Sequence, residues 1–275
     1  MGREAAAWHF IAAILLALPA GIASASDELG VLDGCRGAAT RIVADAQGAR
    51  GGATIRLKDG TEVRLAGVIA PDEIQGDGAA AKRATAALDA LVAGRRLFLH
   101  SEKNERDRYG RLVAQVAVER EGEQWVQAAL VSAGQVRVLP GSGDPDCAER
   151  LLRLERQARG QMRGLWSDAA FSLLNANAIP DAEVAAGRFA LVEAAIHRVG
   201  EAGGRIFLDF GRRYWEDFTI VIPREAQAAF AAAGVDLRSL SGKRVRARGV
   251  LFSWGGPAME LRHPAALELI EADEG

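Results

Sequence analysis

ATIRLKDGTEVRLAGV (residues 53–68) alternates polar and apolar side chains on both sides of Asp59-Gly60. Alternation with a period of two is the mark of a half-buried strand, and Asp-Gly between two such runs is a strong hairpin signal. The stretch therefore predicts two antiparallel strands joined at residues 59 and 60. The second strand carries Arg64 and runs on through Val68-Ile69-Ala70 into a turn at Pro71, followed by Asp72 and Glu73.

Outward from this hairpin the chain divides into three pieces. The first, Asp33 to Asp168, continues with an alanine-rich helix at residues 76–93, stopped by Gly94. Strands follow at RRLFLHS (95–101) and RLVAQVAVE (111–119), with a charged turn between them. A short helix at 125–133 ends at Gly134, and a longer amphipathic one at 145–163 places Cys147, Leu151, Leu154 and Ala158 on one stripe. Residues 169–187 read as a polar linker with Asn175, Asn177 and Pro180. The third piece, Arg188 to Glu271, holds five strand candidates, at 188–199, 204–211, 217–223, 243–254 and 258–263, with one helix, 224–233, after the third. That order is the pattern of a small Greek-key barrel of the OB type. The expected class is mainly β with helices.

About half the residues are apolar (49%), a quarter are charged (25%), and the formal net charge is −2, so no global field draws in polyanions. This argues against a general nucleic-acid coat protein and leaves a local basic site open. Residues 1–25 read as an export signal. Arg3 supplies the positive start, WHFIAAILLAL (8–18) the apolar run, and Ala23-Ser24-Ala25 the cleavage site. The run falls short of the ~20 residues needed to span a bilayer. The expectation is a periplasmic or secreted protein with no membrane span in its mature chain. Cys35 and Cys147 are the two cysteines. In an oxidising compartment they are expected to form a disulfide, which the chain-entropy model values at roughly 4–5 kcal/mol. Two buried thiols are the alternative.

Arg64 and Arg111 are the candidate ligand-binding residues of the first piece. Two planar, permanently charged guanidinium groups facing one cleft suit a phosphodiester. On residues alone, arginines paired with surface carboxylates read the same way. His100, His197 and His263 are scattered and show no zinc-ligand spacing.

The ordered series DGTEVRLAGVIAP (59–71), NERDRYGRLVAQV (104–116), WVQAALVSAGQVRV (125–138) and CAERLLRLERQARGQMRGLW (147–166) resembles the staphylococcal nuclease-like, or thermonuclease, family. The resemblance implies a five-stranded OB barrel with three helices over residues 33–168 and a calcium-dependent phosphodiester hydrolase. It carries the family's two arginines onto Arg64 and Arg111, as phosphate-binding and catalytic residues, and its general-base position onto Asp72, with Glu73 next. Tyr109, in the DRYGR turn, matches a family aromatic that has an equally good packing role.

Two departures stand out. The family's calcium-binding aspartates fall on Ala53 and Ile69, leaving Thr54 as the residual ligand position. Calcium takes six to eight oxygen ligands, so no metal is expected unless the nuclease activity is retained. The resemblance thus implies a nucleic-acid or other polyanion binder with impaired cleavage. Its rivals are a working phosphodiesterase using Asp72 or Glu73, and a cell-envelope scaffold without enzymatic function.

The segment 188–271 resembles, less specifically, OB-like domains that accompany exported thermonuclease-like domains. Arg244, Arg246 and Arg248 alternate along KRVRARGV and share one face. With Tyr214 and Trp215 in GRRYWED they are the candidate nucleic-acid contacts, since OB barrels hold single strands by stacking plus phosphate contacts. A solvated face paired with Glu216, Asp217 and Glu260 is the alternative. Phe207 and Phe218 read as core.

Overall fold

The computed structural model describes residues 35, 40–75, 78–101, 105–120, 122–141, 145–185, 187–213 and 216–270. The expected export signal, Tyr214 and Trp215 lie outside the described residues. Among those described, no helix is long and apolar enough to cross a membrane.

The first piece folds as β1 (Thr40–Gly51), β2 (Thr54–Leu57), β3 (Glu62–Leu65), β4 (Val68–Ile69), α1 (Pro71–Gln75), α2 (Ala79–Val92), β5 (Arg96–Ser101), β6 (Leu112–Arg120), β7 (Gly122–Trp125), α3 (Val126–Ser132), β8 (Arg137–Val138) and α4 (Pro145–Gly160). Its first strand serves two neighbours. Residues 40–45 of β1 pair with β5, and residues 46–51 pair with β2 through two register shifts. Such bulges bend a strand and increase its twist, which lets β1 turn the corner of a barrel. The hairpin expected at Asp59-Gly60 is β2–β3. β3 then runs parallel to β6, and β6 pairs with β5, so the ring closes as β1-β2-β3-β6-β5. Inside it, Ile55 and Leu57 meet Val63 and Leu65, all buried with Leu97, Leu99, Val116 and Trp125. Each such side chain contributes about 1.5–3 kcal/mol of burial.

The third piece contains β9 (Leu174–Asn175), α5 (Asp181–Ala185), β10 (Phe189–Ala195), β11 (Arg198–Ala202), β12 (Arg205–Asp209), β13 (Thr219–Ile222), α6 (Arg224–Ala232), β14 (Arg244–Trp254), β15 (Gly256–Glu260) and β16 (Leu267–Leu269). The single strand expected at 188–199 is interrupted at Ile196-His197. Its first half, β10, pairs with β14 and its second half, β11, with β12. β12 pairs with β13, β13 runs parallel to β15, and β15 pairs with β14. The connectivity therefore repeats that of the first barrel, with α6 between the third and fourth strands.

Residues 169–187, expected as a polar linker, carry short turns and one strand. Asp168 and Asn175 accept hydrogen bonds from the amides of Ala170 and Asn177, and β9 pairs in parallel with β10. Phe171 and Ala176 are buried. Phe171 joins Ile69, Ile74, Ala158, Leu165, Trp166, Phe189 and Leu191 in one apolar cluster that unites the two barrels.

The same seam corrects the expectation for three arginines. Arg248 is 1% exposed, paired with Glu155 of α4 and Glu268 of β16. Arg246 bonds Glu193, and Arg244 bonds the same carboxylate from a more exposed position. Alternation does place the three on one face, but acids already occupy it: Glu155 from the first barrel, and Glu193 and Glu268 from the second barrel itself. The partners are Glu155, Glu193 and Glu268 instead of Glu216, Asp217 and Glu260.

The expected disulfide is not formed in the structure. Both cysteines are buried, and the Cys147 thiol donates to the carbonyl oxygen of Cys35 (3.0 Å). The chain at Cys35 turns its carbonyl to that thiol, while its own sulfur faces Arg150 Nη1 at 3.8 Å. Phe218 is core, as expected, but Phe207 faces outward between the buried Ile206 and Leu208.

Candidate functional site

Thr54 at the start of β2 stands opposite Arg64 on β3, both on the outer side of the sheet that buries Ile55 and Val63. Arg64 folds back on its own loop. Its Nη1 donates to the Leu65 carbonyl (2.6 Å), and its Nη2 donates to the Val68 carbonyl (2.6 Å) and to Glu73 Oε2 (2.9 Å). Glu73 Oε2 also accepts from the Ala70 amide (3.0 Å). Arg64 is therefore a latch holding residues 65–73 against β3. Burial lowers its pKa, Glu73 opposes that shift, and the neighbouring charge of Arg111 adds to it. It remains a cation at neutral pH.

Arg111 is positioned by the DRYGR turn. Asp107 Oδ1 accepts from the amides of Tyr109 (2.9 Å) and Arg111 (3.0 Å), and Oδ2 from Arg111 Nε (2.7 Å). Gly110 permits the turn with a φ of 79°. Burial pushes the Asp107 carboxyl up, but these bonds outweigh it and hold the group below its ordinary value. Arg111 Nη1 then donates to Thr54 Oγ1 (3.0 Å). A guanidinium has five N–H groups. Asp107 and Thr54 take two of them, leaving three for a ligand. The Tyr109 ring is exposed, with the guanidinium carbons of Arg108 and Arg111 4.8 and 5.3 Å from its centre.

Asp72 is turned toward the β1–β2 connection. Its Oδ1 accepts from the Gly52 amide (3.2 Å), and a Cβ added at Gly51 would stand 2.8 Å from Oδ2. The carboxylate lines a cleft of about 380 Å³ together with Arg50, Lys82 and Asp89. The structure thus brings Thr54, Arg64, Asp72, Glu73 and Arg111 onto one side of the barrel. Sequence reasoning missed Asp107 as the residue that orients Arg111 and the Arg64–Glu73 pair. The four-residue spacing of Asp107 and Arg111 was the available signal for the first.

These residues do not suit a calcium ion. Ala53 and Ile69, the positions where the resemblance implies calcium ligands, are buried alkyl side chains (1% and 8% exposed) that offer no oxygen. The Thr54 hydroxyl is engaged by Arg111, and Glu73 by Arg64. Among the described residues, no three His, Cys, Asp or Glu side chains are grouped to hold a metal.

Residues 62–168 match a family model described as staphylococcal nuclease homologue. Protein ParB of Escherichia coli is 35% identical over 120 residues, which are 40% of this chain and 63% of ParB. The match thus spans less than two thirds of that relative's length.

Proposed function

With residues 62–168 belonging to the staphylococcal nuclease homologue family, we propose that this is an exported protein whose first barrel binds nucleic-acid phosphodiesters and cleaves them poorly. One observation carries the reading: two guanidinium groups flank Thr54, while the two positions expected to hold metal-binding acids are buried hydrocarbon. Arg111 offers the free N–H groups, and Arg64 adds positive charge while fixing the loop. Such contacts bind a phosphate in its ground state. Without a cation to offset charge growing in the transition state, they supply little rate. Export to an oxidising compartment also favours joining the Cys35 and Cys147 sulfurs, which thiol titration of the exported protein would reveal.

A working phosphodiesterase is the second reading, favoured by Asp72, whose carboxylate takes a single amide bond beside an open cleft. The deciding experiment incubates the mature protein with single- and double-stranded DNA, in calcium or in chelator. The expected result is salt-sensitive binding without cutting, weakened in Arg111→Ala, since phosphate contacts release counterions. Calcium-dependent digestion that disappears in Arg111→Ala would overturn the proposal in favour of the enzyme. No affinity even at low salt would leave a scaffold.

A further inference from the structure

The outer face of the second barrel presents features that neither its core nor its seam requires. Strand register aligns two rows of side chains across β11, β12, β13 and β15 on the face opposite the core cluster, among them the buried Asp209, Thr219, Val221 and Ala258. One is Arg198, Asp209, Thr219 and Ala258; the other is Gly200, Phe207, Val221 and Glu260. Small residues at 200, 202 and 258 leave a trough of about 520 Å³. A Cβ placed on Gly200 would meet nothing within 4 Å, so the space beside Phe207 is open. Trp254, at the β14–β15 hairpin, forms one wall. It is 51% exposed, and its ring centre is 5.8 Å from that of Phe207. A half-exposed tryptophan on a trough is a ready surface for a flat apolar ligand.

The cations here differ from those at the seam. Arg205 lies over the Trp254 ring at 5.8 Å, and its charge also acts on Glu225, a carboxylate already bonded by Arg262. Arg198 is held by the buried Asp209 (2.7 Å), which also accepts from the Thr219 hydroxyl (3.2 Å), and its own side chain is 61% exposed. Glu201 is occupied by Arg238. Aromatic faces flanked by arginines that still have unused N–H groups complement a chain of planar bases linked by phosphates. The location matches too, because OB barrels hold oligonucleotides on the face of their second and third strands.

We propose that this face is a binding site for single-stranded nucleic acid, with bases stacking on Trp254 and Phe207 and phosphates meeting Arg198 and Arg205. It shares a ligand class with the function proposed for the first barrel but uses neither Arg64 nor Arg111. Stacking should favour single strands, because a duplex keeps its base faces covered.

The test is fluorescence anisotropy of the mature protein with a labelled oligothymidylate of about 12 nucleotides, within the usual range of OB site sizes. The variants are Trp254→Ala, Trp254→Phe, Arg205→Ala and Arg111→Ala, each checked by thermal melting. Trp254→Ala should weaken binding roughly 5- to 100-fold, with Trp254→Phe recovering most of the loss. Arg205→Ala should weaken binding and reduce the log–log salt slope by about one. Wild-type affinity in both Trp254→Ala and Arg205→Ala, or no binding by the wild type, overturns the proposal. So does a loss in Trp254→Ala that is as large for a duplex of equal length as for the single strand. Loss in Arg111→Ala alone would sink this site and support the first-barrel one; loss in the Trp254 and Arg205 variants alone would do the reverse.

Discussion

Replacing Arg248 by methionine tests the seam between the barrels most directly. The Glu155 side chain is wholly buried, with one oxygen accepting from the Val138 amide (2.7 Å) and the other from Arg248. Arg248→Met leaves that carboxylate inside the protein without its bonded cation, a change that costs about 3–5 kcal/mol in buried pairs. Glu268 suffers less, because Arg156 and Arg246 still face it. At about 2–4 °C per kcal/mol for a chain of this size, the melting temperature should drop by roughly 6–20 °C. The double variant Arg248→Met/Glu155→Gln should recover much of the loss, since it removes the stranded charge and keeps a hydrogen-bonding side chain at the Val138 amide. Urea denaturation followed by near-ultraviolet circular dichroism reads both. A loss below about 1 kcal/mol for the single variant, or a double variant no more stable than the single, would refute a desolvated pair holding the seam.

Arg64→Ala should destabilise the protein by about 2–3 kcal/mol, because it removes bonds to Leu65, Val68 and Glu73 made by a charged group. Arg111→Ala should cost less, and equal melting curves would contradict the latch. Acid should weaken the seam. Burial raises the Glu268 pKa, but Arg248, Arg246 and Arg159 together outweigh it and hold the carboxyl below its ordinary value. Its stabilisation is therefore complete above the unfolded carboxyl pKa of about 4.3 and is lost as pH falls through the lower folded value. Glu268→Gln should flatten stability against pH in that acid window; an unchanged profile would argue otherwise. Gly134→Ala should be severe. Its φ is 64°, and the added carbon would stand 2.2 Å from the Arg163 carbonyl oxygen. The loss should exceed the ~1–2 kcal/mol of a left-handed residue alone, and a thermal melt close to wild type would refute that contact.

Much of both barrels was legible because short apolar runs are bounded by turns that carry the expected glycines, but β1 (Thr40–Gly51) was not read as a strand, and the first barrel's five-strand count came from the family resemblance. The paired candidates Arg64 and Arg111 also came from the sequence, as did the hydrocarbon at Ala53 and Ile69. What stayed hidden depended on partners far away in the chain. The alternation of Arg244, Arg246 and Arg248 reads as a basic surface until Glu155, 93 residues from Arg248, is brought against it. IFLDF contains three apolar residues in succession, so its pattern does not say that Phe207 points outward while Ile206 and Leu208 point in. Trp254 gave no signal at all, because its value lies in standing across a hairpin from Phe207. The order in the linker was hidden for the opposite reason: its polar residues cap short turns, while Phe171 and Ala176 are buried and Leu173, Leu174 and Ile179 pack beside the cores.

Ile69 has a second consequence. Besides standing at a position where the family resemblance implies an acid, it shares a greasy patch with Phe189 and Leu191 from the other half of the molecule. An aspartate at that position would wedge an anion into the joint between the barrels. A carboxylate there would have to be met by a cation or drawn out to water, and either outcome opens the contact on which the neighbouring barrel leans.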